Sequence, residues 1–389
     1  MVHDAVVNRV RLLNGRLVDI GIRAGTIDAL ADPDTLSGIV AFDGKSGLCT
    51  RPLSDSHLHL DKAGTVQAGM TPPATIAEAI AAMARVKKVA QKDPAEVQNR
   101  MVSTLRRLAR NGTRYVRALV DVDETWGLTG FDAAMAARKA VTPGITVKVV
   151  AFAQEGMTDK VADMLAEAAG RGADAIGGHT DVDADPRKHI RTAVRIARQA
   201  KLPLEGHVDE PASAESFKLP MVLEEAAGLP SLTLVHCLSL ARLPEAEQDR
   251  WIERIKQANA TVVAATSVLL FGLPLAPLRK LLEAGVPVGL GSDNLQDVFV
   301  PLGTGRLLET VRTTAIVAGL GRFELLQSLL HGASGIGYRL ITGDTEELEV
   351  GSRASFSVFS GSSPTAVLFG EDAIRLTMID GKLQEGTAL

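Results

Sequence analysis

Residues 173–210 read ADAIGGHTDVDADPRKHIRTAVRIARQAKLPLEGHVDE. Two short apolar runs, ADAIGGHTDVD and LPLEGHVDE, flank HIRTAVRIARQAK, in which apolar residues recur every three or four positions and a lysine closes the segment. Such a strand, helix and strand form a unit whose two strands run parallel, because the crossover helix returns the chain to the starting end of the sheet. The alternation continues in both directions. Upstream lie GLCTRPLSDSHLH (47–59), TRYVRALVDVD (113–123) and TVKVVAFAQEG (146–156); downstream lie LTLVHCLSL (232–240), ATVVAATSVLLF (260–271) and VPVGLGSDN (286–294). Between them TIAEAIAAMARVKKVA, AEVQNRMVSTLRRLARNG and KVADMLAEAAGRG keep the helical period. Eight apolar runs separated by helices predict an α/β fold, a (β/α)8 TIM barrel, for which about 250 residues is usual. An open doubly wound sheet is the rival, and no Gly-x-Gly-x-x-Gly turn follows the first strand to favour it.

The barrel leaves residues at both ends. VDIGIRAGTIDAL (18–30) and ASFSVFSGSSPTAVLFGEDAIRLTMIDGKLQEG (354–386) alternate polar and apolar residues, punctuated by Gly, Ser and Asp, as short antiparallel strands with tight turns do. The expected organisation is a small β-sandwich domain from residues 1–51 and 343–389, with a catalytic barrel over 52–342.

Charge and cysteine content narrow the function classes. With 42 Lys+Arg against 46 Asp+Glu, net −4, there is no basic surplus to draw the chain to nucleic acid or anionic lipid, so a small-molecule partner is expected. Cys49 and Cys237 are the only cysteines, which excludes a disulfide framework and a thiolate zinc cluster and suits a reducing cytoplasm. MVHDAVVNRVRLLNG lacks the apolar core of a signal peptide, and SVLLFGLPLAPL is too short and too broken by Gly and Pro to span a bilayer; no membrane partner is expected.

In such a barrel chemistry sits where the strands end at their C-terminal side. Four of the eight histidines fall there: His57 and His59 on the first run, His207 on the fifth and His236 on the sixth, with Gln154 on the third and Asp293 on the eighth. Residues two apart on a strand share a face, so His57 and His59 can address one ion. A lone His-x-His pair equally describes strand histidines satisfied by carbonyls; the imidazoles and carboxylate at the same end of other strands change that reading. His57, His59, His207 and Asp293 supply nitrogen and oxygen ligands for one divalent cation, Zn²⁺ or Fe²⁺, and water on such an ion loses a proton near neutral pH. Glu210, three residues after His207, is placed to move protons without binding the ion, whereas Glu205 and Asp209 are expected to be solvated loop carboxylates. His236 reads as a further ligand, a donor to substrate or a core histidine, and donor is preferred. Cys237, His3, His179, His189 and His331 are assigned to structure, His179 with the note that it too ends a strand.

HLHLDK (57–62), AQEG (153–156), GHVDE (206–210), VHCLS (235–239) and GSDNLQDVFVPLGTG (291–305), in this order, resemble the cytosine deaminase-like group of the amidohydrolase superfamily over essentially the whole chain. The SDN form and HLDK are also similar to triazine aminohydrolases that act on N-isopropylammelide. The resemblance implies a single metal on His57, His59, His207 and Asp293, with Glu210 moving protons, His236 assisting and Gln154 holding a ring by its amide. It implies hydrolytic deamination: water adds to the ring carbon bearing the amino group, Asp293 and Glu210 relay protons to the ring nitrogen and the leaving ammonia, and a keto product forms. Relatives commonly assemble, so a homo-oligomer is also implied.

The sequence departs from that group in places. Asn294 follows Asp293 where a second Asp is usual, Phe299 stands at an aromatic Trp position, the second run lacks a His near Leu119, and the seventh lacks Asn-Pro. Asn294 both donates and accepts where a carboxylate only accepts, which alters the pattern asked of a ring. Ile76 and Phe299 are expected as apolar walls. Cytosine or a substituted cytosine is the first substrate expectation; an s-triazine, a cyclic amide opened by an amidase, and a barrel that binds without turnover are the alternatives.

Overall fold

The computed structural model describes residues 2–66, 73–213 and 215–384. Eight strands follow one another around a sheet in chain order: Leu53–His59, Thr113–Asp121, Thr146–Ala153, Ala175–His179, Leu204–Val208, Leu232–His236, Thr261–Ala265 and Val288–Gly291. Registers from the third strand to the eighth are all parallel, as the crossover helices require. Backbone groups of the first strand and of the turn after the eighth close the ring: His59 N–H donates to the Asp293 carbonyl at 2.7 Å and Asp293 N–H to the His57 carbonyl at 2.8 Å. The expected barrel is present, and its last join is made by three of the residues singled out for chemistry.

That join depends on small residues. A Cβ on Gly291 would stand 2.7 Å from the His57 carbonyl oxygen and 2.8 Å from the His57 Cβ, contacts with backbone that cannot swing aside. Gly291→Ala is therefore expected to lower stability by about 1–3 kcal/mol, the usual cost of overpacking, and to push His57 out of register. Denaturant unfolding of the variant checks the first effect, and an unchanged midpoint would contradict it.

Helices follow where the apolar period places them. The four segments quoted above become Ile76–Ala90, Pro94–Arg110, Asp159–Gly170 and Pro186–Ala200. Pro186–Ala200 shows why the boundaries fall where they do: Asp185 accepts the Lys188 N–H at 3.0 Å, Pro186 occupies the first turn, and Lys201 turns left-handed at φ 57° to end it. The Thr75 hydroxyl likewise accepts the Glu78 N–H at 3.2 Å to start Ile76–Ala90. No helix among the described residues is long and apolar enough to cross a membrane.

The terminal segments build a second eight-stranded sheet. Leu17–Arg23 and Thr26–Ala31 pair antiparallel across Ala24 and Gly25, both left-handed, the geometry that suits a tight hairpin. Alternate residues Val18, Ile20 and Ile22 join Phe356, Val358, Leu376 and Met378 in one core, so the two ends of the chain share a hydrophobic interior. The sheet differs from the antiparallel expectation in that His3–Leu12 runs parallel to both Gly38–Asp43 and Leu48–Thr50. Within the last quoted run, Pro364–Leu368 is helical, because the Ser363 hydroxyl caps the Ala366 N–H and Pro364 suits a first turn. Two compact units result: Met1–Ser54 with Ala109–Tyr115 and Leu307–Leu389, and Asp55–Leu108 with Val116–Arg306.

Candidate active site

Strand ends bring the polar residues together. Asp209, His236, Cys237 and Asp293, which follow or end the fifth, sixth and eighth strands, all adopt left-handed backbone conformations, at φ 59°, 73°, 52° and 61°. Such conformations are costly for non-glycine residues and collect at functional sites, where surrounding structure holds them.

One donor atom each from His57, His207, His236 and Asp293 lies within 4.8 Å of the others, all four residues buried. His57 Nε2 stands 3.1 Å from His207 Nε2 and 3.3 Å from Asp293 Oδ1, and His59 Nε2 is 3.4 Å from the same oxygen. His236 Nε2 faces two carboxylates, Asp293 Oδ2 at 3.9 Å and Glu210 Oε1 at 3.8 Å. Both His236 ring nitrogens, His207 Nδ1 and Asp293 Oδ1 are buried without a hydrogen-bond partner. Buried polar atoms without partners are expensive, and imidazole and carboxylate donors converging on one point suit a divalent cation. The residues present fit a metal ion, and the donor set excludes neither zinc nor iron.

The electrostatics agree with a concentrated charge site. Burial opposes a charged His57, but the neighbouring Asp293 and Glu205 carboxylates raise it to about 9. Burial also disfavours ionised Asp293, yet the neighbouring His57 and the charge of His236 hold it well below the usual carboxylate range. His207 is pushed down to about 3, chiefly by burial. Ser267 donates its hydroxyl to Asp293 Oδ2, fixing that oxygen.

The expectations for two carboxylates are corrected. Glu205 is not a solvated loop carboxylate: it is fully buried, accepts from His57 Nδ1 at 2.5 Å and pairs with the Arg117 guanidinium. A carboxylate on Nδ1 keeps the His57 proton there and turns Nε2 toward the cluster, as a ligand histidine requires. Asp209 is also buried, accepting the Lys218 N–H at 2.5 Å and the Leu219 N–H at 3.3 Å, and burial raises it to about 7.

Glu210 is buried beside the cluster, with Oε2 2.8 Å from His179 Nε2 and 3.6 Å from His207 Nδ1. Desolvation opposes its ionised form, and the His179 and His236 charges more than offset that, holding it well below the ordinary glutamate range. His179, assigned to structure on sequence, instead bridges two site residues: its Nδ1 meets Gln154 Nε2 at 3.0 Å. His3, His189 and His331 pair with Asp28, Asp183 and Glu346, and Cys237 is buried.

Lys62 completes the inner arrangement and was not identified from sequence. Its buried ammonium stands 3.1 Å from His59 Nδ1, 3.1 Å from Gln154 Oε1 and 3.4 Å from Asp121 Oδ1. A His59 Nδ1 that accepts from Lys62 carries its own proton on Nε2; binding a cation through Nε2 requires that proton to move and Lys62 to turn its donors to Gln154 and Asp121.

A cavity of about 510 Å³ opens beside Glu210 and His179, with Ile76, Ile80, Phe271 and Leu273 as its apolar side. Phe299 packs in one cluster with Ile76 and lies 5.2 Å from the Lys62 Nζ, ring centre to nitrogen. Asn294 points its amide nitrogen at Asp297 Oδ2, 2.7 Å away.

The amidohydrolase family profile matches residues 53–383. N-isopropylammelide isopropyl amidohydrolase from Pseudomonas sp. (strain ADP) is 24% identical over 362 residues, 87% of this chain and 86% of that protein. The crystal structure of 5-methylcytosine deaminase from Klebsiella pneumoniae liganded with phosphonocytosine superimposes with a TM-score of 0.87 at 20% identity, covering 97% of each chain. That of N-isopropylammelide isopropylaminohydrolase from Burkholderia multivorans gives 0.84 at 22% identity over 99% of each chain. A family match across the barrel and into the terminal sheet, on a chain that gathers these histidines and Asp293 at one barrel end, leaves one assignment: the protein belongs to the amidohydrolase family.

Proposed function

We propose that the protein is a metal-dependent aminohydrolase that replaces the exocyclic amino group of a small heterocycle by a keto oxygen, with cytosine or a substituted cytosine as first candidate. Membership of the family already makes it a hydrolytic enzyme acting on C–N bonds. The observation that carries the finer reading is the placement of Glu210 and Asp293 at 3.8 and 3.9 Å from the same unpartnered nitrogen of His236. Deamination needs two proton transfers, one to the ring nitrogen and one to the departing amine, and two carboxylates flanking one imidazole can serve both.

In this reading His57, His59, His207 and Asp293 hold the ion and His236 faces the substrate. A divalent ion so held, Zn²⁺ or Fe²⁺, supplies a Lewis acid and makes water acidic enough to lose a proton near neutral pH. Asp293, steadied through Oδ2 by Ser267, takes a proton from the attacking water. Glu210, paired with His179 at 2.8 Å, carries protons to the ring and the leaving nitrogen. The C–N bond breaks, ammonia departs and the water oxygen stays on the ring. Gln154 orients the ring through its amide, Ile76 and Phe299 wall it, and Asn294 sets the pattern of donors near it.

A second reading is favoured by the apolar side of the cavity, Ile76, Ile80, Phe271 and Leu273, which suits an alkyl substituent and therefore an N-alkylated s-triazine of the kind that two relatives are named for. A screen of metal-loaded protein against aminopyrimidines and aminotriazines decides between them. Ammonia from an aminopyrimidine is expected; alkylamine from a triazine would move the assignment to the second reading, and no amine from any compound would overturn both.

A further inference from the structure

We propose that Lys87 is a positioning residue that fixes the polarity of the Gln154 amide, a role that rests on the reading of Gln154 as a ring-binding group. Lys87 lies in the helix Ile76–Ala90, yet its ammonium is buried among three carboxylates: Asp121 Oδ2 at 2.7 Å, Asp123 Oδ2 at 2.5 Å and Glu155 Oε1 at 2.8 Å. Two routes lead from it to Gln154. Through side chains, Asp121 turns its other oxygen to Lys62 Nζ at 3.4 Å, and Lys62 donates to Gln154 Oε1 at 3.1 Å. Through the backbone, Glu155 adjoins Gln154 and is held by Lys87 on one oxygen and by the Thr125 hydroxyl at 2.7 Å on the other.

Amide polarity matters because an amide turned end for end would set an NH₂ against the Lys62 ammonium, donor against donor. With Oε1 on Lys62 and one Nε2 hydrogen on His179 Nδ1, the amide has a single N–H left to offer. It selects a ring that presents an acceptor, such as a carbonyl oxygen or an unprotonated ring nitrogen. Lys87 supports this by sharing Asp121. Without Lys87, Asp121 has Lys62 as its remaining cation and draws that ammonium off Gln154 Oε1, so the amide is freed to turn.

The test has one arm that needs no substrate. In a crystal structure of Lys87→Met the Lys62 contact to Gln154 Oε1 is expected to be lost, and its retention would overturn the inference. In the kinetic arm, Lys87→Met should raise KM about tenfold with kcat changed less than about threefold, the pattern of lost ring binding. The KM effect should vanish when Gln154 is already alanine; equal effects in both backgrounds would assign Lys87 to bulk stability and refute the role. Three carboxylates around a vanished cation can prevent folding. Glu155→Gln, whose side chain is 21% exposed, then replaces it in the kinetic arm, with an expected KM rise of about threefold that disappears in the Gln154→Ala background. Wild-type protein that turns over no heterocycle would sink the proposed function alone, and the crystal arm would still decide the fate of Lys87.

Discussion

Asp293→Ala is expected to lower kcat/KM by about 10⁴-fold, the upper end of what a proton-transferring residue contributes, because the substitution removes a candidate ligand together with a proton carrier. The fold should survive. The bonds that close the barrel at this position use the Asp293 backbone N–H and carbonyl, which alanine keeps. Alanine does meet a cost of about 1–2 kcal/mol in the left-handed conformation recorded at φ 61°. Asp293→Asn avoids that cost, since asparagine tolerates this region, and should be as inactive as the alanine variant while melting near the wild type. Metal content by atomic absorption, kcat/KM and thermal unfolding read the three parts separately. Near-normal turnover in either variant would remove Asp293 from the chemistry.

Glu210→Gln is expected to reduce kcat by about 10²–10⁴-fold, the range for a general acid or base, with metal content unchanged. Glutamine has the shape of glutamate and keeps an oxygen facing His179 Nε2, which lies 2.8 Å from the native carboxylate. It cannot take up and release a proton. The pair of variants therefore separates two kinds of failure: loss of metal with Asp293→Ala, loss of proton transfer alone with Glu210→Gln. Loss of metal in Glu210→Gln would instead make Glu210 a ligand, an outcome that the neighbouring group of His179, His207 and Glu210 makes worth measuring.

The barrel was legible because each strand and helix carries its own period, and parallel pairing follows from alternation alone. The convergence of His57, His207 and Asp293 was legible because a barrel puts strand ends in one place. Charged residues facing the interior were harder to read, although parity could have found some of them. Glu205 is two residues before His207, and Arg117 and Asp121 fall on one face of their strand at alternate positions, so each points inward with its neighbours. Lys87 follows the buried Ala79 and Met83 at four-residue steps, which places it on the core face of its helix. Reading Glu205 as solvated gives too much weight to charge and too little to register: a buried ion is tolerated where a partner of opposite sign arrives from a distant segment, and single-strand patterns do not show that partner. His179 was missed for a related reason, since its role rests on Glu210 and Gln154 rather than on its own surroundings in sequence.

The carbonyl and amide contacts between His57, His59 and Asp293 have a temporal implication for biosynthesis. Asp55 accepts the Ser292 N–H across a sequence separation of 237, so the clasp cannot fasten until translation has delivered the eighth strand. A nascent chain thus holds its first histidines as an open hook, and the group of His57, His207, His236 and Asp293 comes together in one late step.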